Sequence, residues 1–311
     1  MMPRSALALH GIIPPVVTPL REDEELDLPK LREFLEYLLG HGVHGVFVLG
    51  TNSEFYAFDE AEKQAIMTAA VEQVAGRVPV LVGTGAESTR EVIRLTRLAE
   101  AAGADAVSIV TPYFVHPSQR ELFEHYRRIA EQTHLPVVLY NNPGTCGGVH
   151  IAPETLARLA EFPNIFGIKD SSGDLQNTLE YLRAVPPRVA VLMGRDTLIY
   201  TALLSGARGA VPASANIAPA LCVRLYEAFA RGDLEGARKA QEQLHPVRMC
   251  LRWATQPAGV KAALEVLGIP VGPCRGPVLR PDADILMRMR QVLEQAGLLA
   301  PRSAPIARMP G

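Results

Sequence analysis

The chain has 311 residues, of which 48% are hydrophobic and 21% are charged, and its formal net charge is −2. This composition provides a large core and gives no electrostatic reason to expect nucleic acid or a membrane surface as a partner. The four cysteines contain no C-x-x-C pair, so they indicate neither a disulfide framework nor a zinc site and favour a reducing compartment. Residues 1–15 make a poor signal peptide and no apolar run reaches membrane-spanning length, so we expect a cytoplasmic protein.

Short apolar segments alternate with longer segments of helical period along most of the chain. This alternation predicts βα units around a parallel sheet whose strands are buried on both faces. Eight strands are predicted, at residues 12–18, 45–50, 78–83, 106–111, 136–140, 165–169, 189–193 and 209–212. Eight units in about 230 residues fit a (β/α)8 TIM barrel. A doubly wound sheet is the alternative, but it more often has a Gly-rich phosphate turn after its first strand, where this chain has Pro14 and Pro15.

The pattern becomes wholly helical after the eighth unit, with helices predicted at residues 233–252, 257–267 and 281–296. We predict a barrel domain at residues 1–231, a helical extension packed on it at residues 232–300, and a loosely ordered tail at residues 301–311. Earlier in the chain, Ser88 with Glu91 and Ser118 with Glu121 have the spacing of a capping box.

Barrel active sites lie at the C-terminal ends of the strands, so the residues that follow each strand form one rim. This rim has no histidine and no clustered carboxylates, so no metal or organic cofactor is expected. We expect Arg195 and Asp196 on this rim to be a surface pair and a helix cap.

Lys169 lies at the end of the sixth predicted strand. Burial disfavours a charged ammonium group, and a neutral amine attacks ketones to form a Schiff base. The alternative is a lysine whose stem packs along the strand while its ammonium reaches water.

Tyr140 ends the neighbouring strand, where its phenol can transfer protons during such an attack. Alternatively, its hydroxyl simply bonds to a neighbouring backbone group in the core. Thr51 and Asn52 follow the second strand and can hold a carboxylate or merely cap the next turn. A lysine, a tyrosine and a small anion site together predict a 2-oxo acid substrate.

Five short motifs carry a resemblance to a known family: GTNSE at 50–54, GTG at 83–85, TPY at 111–113, YNNP at 140–143 and GIKD at 167–170. Their order and spacing resemble the pyruvate-dependent class I aldolases and lyases typified by dihydrodipicolinate synthase and N-acetylneuraminate lyase. The resemblance implies a (β/α)8 barrel with a helical C-terminal extension and a homotetramer built as a dimer of dimers. It implies that Lys169 forms a Schiff base with pyruvate, that Tyr140 is the acid and base, and that Thr51 and Asn52 hold the pyruvate carboxylate. We therefore predict catalytic roles for Lys169, Tyr140 and Thr51, and substrate binding by Thr51, Asn52, Val211, Thr145 and Tyr113.

Three positions depart from dihydrodipicolinate synthases. Ser53 stands where the family usually has glycine, Phe114 where those synthases place a proton-relay tyrosine, and Thr145 where they place an arginine that grips a carboxylate. Phenylalanine cannot relay a proton, and a neutral threonine cannot replace a bidentate arginine. Residues 272–277 also resemble relatives of 4-hydroxy-2-oxoglutarate aldolase.

The leading prediction is a cofactor-free Schiff-base aldolase or lyase that uses pyruvate or releases it from a 4-hydroxy-2-oxo or 2-oxo-3-deoxy acid. One alternative is a dihydrodipicolinate synthase with an altered relay, which would condense pyruvate with aspartate semialdehyde. Another is a dehydratase of 2-oxo-3-deoxy sugar acids. A non-catalytic sensor of small acids is the alternative outside the enzymes, because a fold does not determine a function.

Overall fold

Eight parallel strands form one sheet in which neighbours along the chain lie side by side and β1 pairs with β8. The computed structural model describes residue 7 and residues 9–300, so the predicted tail at 301–311 lies outside the described residues. The strands are β1 (Gly11–Ile12), β2 (Val46–Val48), β3 (Val80–Gly83), β4 (Ala106–Val110), β5 (Val137–Asn141), β6 (Ile165–Asp170), β7 (Ala190–Met193) and β8 (Gly209–Ala210). Each of them overlaps one of the predicted strands.

Hydrogen bonds between the chain after β1 and strand β2 close the sheet into a barrel. Val16 donates its N–H to the carbonyl of Phe47 at 2.8 Å, and Phe47 donates its N–H to the carbonyl of Pro14 at 3.0 Å. Strand β1 is shorter than predicted because Pro14 and Pro15 have no N–H to donate to a sheet. The predicted TIM barrel is confirmed.

Helices cover the outside of the barrel, and two of them start at the caps predicted for them. They are α1 (Leu28–Gly40), α2 (Glu60–Val74), α3 (Thr89–Ala102), α4 (Gln119–Ala130), α5 (Pro153–Leu159), α6 (Leu175–Ala184), α7 (Ile199–Leu204) and α8 (Pro219–Ala230). Ser88 accepts from the N–H of Glu91 at 3.2 Å, and Ser118 accepts from the N–H of Glu121 at 3.4 Å. Apolar side chains of alternate strand positions, among them Phe47 and Leu192, fill the barrel interior.

Three further helices follow the barrel near the positions predicted for them: α9 (Leu234–Cys250), α10 (Ala258–Val266) and α11 (Ala283–Gln295). Helix α9 packs along α8, and α11 contacts both α9 and α10. The domain boundary between residues 231 and 232 stays a prediction. None of the helices in the described residues is long and apolar enough to cross a membrane.

Candidate active site

Lys169 is buried at the C-terminal end of β6, with 4% of its surface exposed. Its Nζ lies 3.9 Å from the ring centre of Tyr140 and 5.0 Å from that of Phe47. No carboxylate among the described residues forms an ion pair with it, although the next residue is Asp170. Asp170 instead accepts hydrogen bonds from three side chains, one of them Asn141 Nδ2 at 2.9 Å, which fixes the end of β6. The structure therefore supports a buried amine rather than a lysine that reaches water.

Tyr140 lies beside Lys169 because the two residues are register partners on β5 and β6. Its hydroxyl accepts a hydrogen bond from Asn142 Nδ2 at 2.9 Å and lies 3.4 Å from Oγ1 of Thr51. Burial would raise the pKa of Tyr140, but the charge of Lys169 and hydrogen bonds with Thr51 and Ser171 outweigh it and lower the pKa below its ordinary value. A phenol with a lowered pKa gives up and takes back a proton more readily near neutral pH.

The turn after β2 places Thr51 and Asn52 opposite Lys169. Residues Thr51–Ser53 form a short 3-10 helix, whose first N–H groups have no acceptor within the helix. Oδ1 of Asn52 accepts from Nε2 of Gln256 at 2.7 Å, so its amide nitrogen is left to donate elsewhere. The turn therefore offers several hydrogen-bond donors to a small anion.

The unexpected serine of this turn faces away from the cavity. Ser53 is fully buried, its hydroxyl donates to the carbonyl of Val16, and it accepts from the N–H of Gly50 at 3.2 Å. Ser53 thus ties the turn to the chain after β1 and does not line the cavity. Behind it, Glu54 pairs with Lys261 of α10 at 2.8 Å, with both side chains buried.

A cavity of about 140 Å³ lies at the C-terminal rim of the barrel. The structure brings together six of the seven predicted site residues on its wall: Lys169, Tyr140, Thr51, Asn52, Val211 and Thr145. Val211 is held at this wall by a hydrogen bond from its N–H to the carbonyl of Met193 at 2.8 Å. The roles of these residues stay predictions, but their common location agrees with them.

Tyr113 does not line this cavity. Its ring packs edge-on against Phe55 at 6.0 Å between ring centres, which holds it outside the wall that carries Lys169. Burial and the neighbouring carboxylate of Glu87 raise the pKa of its phenol. Its predicted part in substrate binding therefore finds no support in this cavity. The following residue, Phe114, is 84% exposed.

Asp196 does not cap the helix that follows it, and its ion-pair partner is Arg248 rather than Arg195. The side chain is 1% exposed and accepts from the N–H of Ser214 at 2.7 Å. Its Oδ1 lies 3.2 Å from Nε of Arg248, which comes from α9. The expectation of a surface pair and a helix cap is therefore wrong, because a buried carboxylate takes the partners that the neighbouring elements bring to it.

Sequence reasoning missed several residues of the cavity wall: Asn142, Ser171, Arg195, Arg248 and Gln256. Asn142 and Ser171 directly follow strands and Arg195 comes two residues after one, so their position on the rim was a usable signal. Arg248 and Gln256 belong to the helical extension, and no local pattern links them to the rim. The extension therefore completes the cavity as well as packing on the barrel.

The chain is similar to known proteins of one family over most of its length. Residues 8–296 match the family described as the dihydrodipicolinate synthetase family. A DapA-like lyase of Halobacterium salinarum is 41% identical over 293 residues, covering 94% of this chain and 96% of the relative. A 4-hydroxy-tetrahydrodipicolinate synthase of Methanopyrus kandleri is 39% identical, with 94% and 97% covered. The crystal structure of YagE, a prophage protein of E. coli in complex with pyruvate, has a TM-score of 0.91 at 33% identity and covers 94% of this chain and 100% of YagE. This chain is therefore a lyase and belongs to the dihydrodipicolinate synthase family.

Proposed function

We propose that this lyase forms a Schiff base between Lys169 and the pyruvate unit of a 2-oxo acid, such as a 4-hydroxy-2-oxo or a 2-oxo-3-deoxy acid. The observation that carries the proposal is the buried amine of Lys169, 3.9 Å from the ring centre of Tyr140 and without an ion-pair partner among the described residues. The pyruvate in the structure of YagE supports the choice of ligand.

In the proposed reaction the amine of Lys169 attacks the C2 ketone, and the resulting carbinolamine loses water to give the imine. The phenol of Tyr140 donates the proton that the departing hydroxyl needs. In the cleavage direction the tyrosinate takes the proton of the C4 hydroxyl, the C3–C4 bond breaks, and its electron pair moves into the imine to give an enamine and an aldehyde. Protonation at C3 and hydrolysis then release pyruvate and restore the amine.

Thr51 and Asn52 are proposed to hold the carboxylate of the pyruvate unit. The hydrogen bond from Gln256 to Asn52 Oδ1 supports this, because it points the amide nitrogen of Asn52 to other acceptors. Thr51 Oγ1 also lies 3.4 Å from the hydroxyl of Tyr140, so it can pass a proton between this hydroxyl and the substrate. Val211 and Thr145 are proposed to line the substrate, and the contact of Tyr113 with substrate stays a prediction.

Borohydride reduction in the presence of pyruvate tests the Schiff base. The expected result is a stable adduct of one reduced pyruvate, located on Lys169 by peptide mass spectrometry, and its loss in Lys169→Ala. Lys261, which is also buried, is the matched lysine of the same chain and is expected to remain unmodified. An unmodified Lys169 in the wild-type protein would end the proposal.

Dihydrodipicolinate synthase activity is the second candidate, since the relative of Methanopyrus kandleri has that name. Thr145 offers no charge for the carboxylate of aspartate semialdehyde, and Phe114 has no hydroxyl for a relay. We therefore propose that this chain is not an authentic dihydrodipicolinate synthase. A coupled assay with pyruvate and aspartate semialdehyde distinguishes the synthase from the proposed aldolase, because rapid condensation of the two compounds would favour the synthase. In a parallel screen of 2-oxo acids, a 2-oxo product that keeps its whole carbon chain would indicate a dehydratase.

We further propose a cytoplasmic homotetramer built as a dimer of dimers. The family resemblance supports the tetramer, and the exposed apolar side chains of Phe114 and Val115 on one loop agree with burial against another copy. The four cysteines are free thiols, which agrees with a reducing compartment. Sedimentation equilibrium of the wild-type protein and of Phe114→Ser tests the assembly, and a wild-type monomer would contradict it.

A further inference from the structure

Arg195 brings to the cavity a positive charge that has no ion-pair partner among the described residues. It follows β7 and lies on the same cavity wall as Lys169. Its Nε is buried without a hydrogen-bond acceptor, and its guanidinium forms no ion pair within residues 9–300. Arg248 on the same wall differs, because it lies 3.2 Å from the carboxylate of Asp196. A partly buried guanidinium without an acceptor is costly unless a ligand provides one.

The guanidinium of Arg195 lies between the loops that follow β5 and β6. A Cβ atom added at Gly144 would lie 3.7 Å from Nη2, and one added at Gly173 would lie 3.3 Å from Nε. Gly173 has a φ of +82°, which favours glycine, so this turn keeps the space free of a side chain. Arg195 therefore places its charge beside Gly144 and the loop that follows β5.

The pyruvate unit does not account for this charge. Its carboxylate is proposed to bind at Thr51 and Asn52, while its ketone reacts with Lys169. A guanidinium binds best to an anion that presents two oxygens, such as a carboxylate or a phosphate. The cavity of about 140 Å³ is smaller than pockets for drug-sized ligands, which have at least about 300 Å³, so the anion belongs to a short substrate.

We infer that Arg195 binds a second anionic group, a carboxylate or a phosphate, at the end of the substrate remote from the pyruvate unit. The inference rests on the proposed function and narrows its substrate class to 2-oxo acids with a 4-hydroxyl group and a second anion. During cleavage the pyruvate unit stays on Lys169, while Arg195 holds the aldehyde that carries the anion. Arg195 determines specificity in this scheme and takes no part in bond making.

Paired substrates test the inference by the ratio of their kcat/KM values. One pair is 4-hydroxy-2-oxoglutarate and 4-hydroxy-2-oxopentanoate, which differ in the terminal carboxylate. The other is 2-oxo-3-deoxy-6-phosphogluconate and 2-oxo-3-deoxygluconate, which differ in the phosphate. The wild-type enzyme is expected to prefer the member with the second anion in one of the pairs by about 10- to 100-fold, as one charge-assisted contact allows. The preferred pair identifies the anion.

Arg195→Met is expected to remove this preference, mainly by raising KM for the substrate with the second anion. Arg195→Lys is expected to keep part of it, because a lysine retains the charge without the planar fork. Arg90→Met, which changes an exposed arginine of α3, is the matched control and is expected to keep the whole preference. A wild-type enzyme without preference in either pair, or an equal loss on both members in Arg195→Met, would overturn the inference. The pyruvate adduct on Lys169 reports separately on the proposed function, so the two can fail independently.

Discussion

Replacement of Lys261 by methionine is expected to lower the free energy of unfolding by about 3–5 kcal/mol, because it breaks a buried ion pair from one side. Nζ of Lys261 lies 2.8 Å from Oε1 of Glu54, and only 3% and 0% of the two side chains are exposed. The ammonium also donates to the carbonyl of Pro273 at 2.5 Å. Methionine fills most of the same volume, so the loss comes from the uncompensated carboxylate of Glu54 rather than from a cavity.

Urea denaturation of the wild type, the single variants Lys261→Met and Glu54→Gln, and the double variant measures this effect. The double variant is expected to recover much of the loss, because no buried charge is left without a partner. Lys239→Met is the matched control, since Lys239 is 69% exposed and its pair with Glu235 spans 3.5 Å. This control is expected to change the free energy of unfolding by less than about 1 kcal/mol.

A loss of less than about 1 kcal/mol in Lys261→Met would refute the reasoning, since it would give the buried pair the strength of a surface pair. The same conclusion would follow if the double variant lost the sum of the two single losses. Equal m-values across the variants are required, because a changed slope would indicate a changed unfolded or native state.

Two further predictions concern titratable groups. Tyr140→Phe is expected to lower kcat by about 10²-fold or more, since it removes the proposed acid and base. In the wild type, a titration of tyrosinate absorbance is expected to show a first step below the ordinary pKa of 10, because the pKa of Tyr140 is lowered. Tyr140→Phe should abolish this step. A variant titration identical to that of the wild type would contradict the assignment. Burial lowers the pKa of His125 from 6.5 to about 4, so between these values the unfolded chain binds a proton that the folded chain does not. The free energy of unfolding is therefore expected to fall by about 3 kcal/mol as the pH drops from 6.5 to about 4. In His125→Gln, the free energy of unfolding measured by urea denaturation should depend less on pH. Parallel curves for wild type and variant would show that another group causes the fall.

The sequence determined the barrel and the centre of the site. Strands that are buried on both faces have apolar residues at nearly every position. Eight such runs alternate with helical segments along this chain, and few topologies other than a barrel accommodate that order. In a parallel barrel, consecutive strands are neighbours and end on the same rim. Lys169 and Tyr140 could therefore be placed side by side from their positions at two consecutive strand ends, and the structure finds them in register.

Only the tertiary structure decided which partners the rim residues have. Gln256 bonds to Asn52 across 204 residues of sequence, and Arg248 rather than Arg195 pairs with Asp196. Such contacts leave no period or spacing in the sequence, because they depend on where the helices of the extension cross the rim. Strand ends follow from local backbone preferences and burial, whereas the pairing of charges follows from three-dimensional proximity. That proximity pairs Asp196 with Arg248 and leaves Arg195 without an ion pair among the described residues.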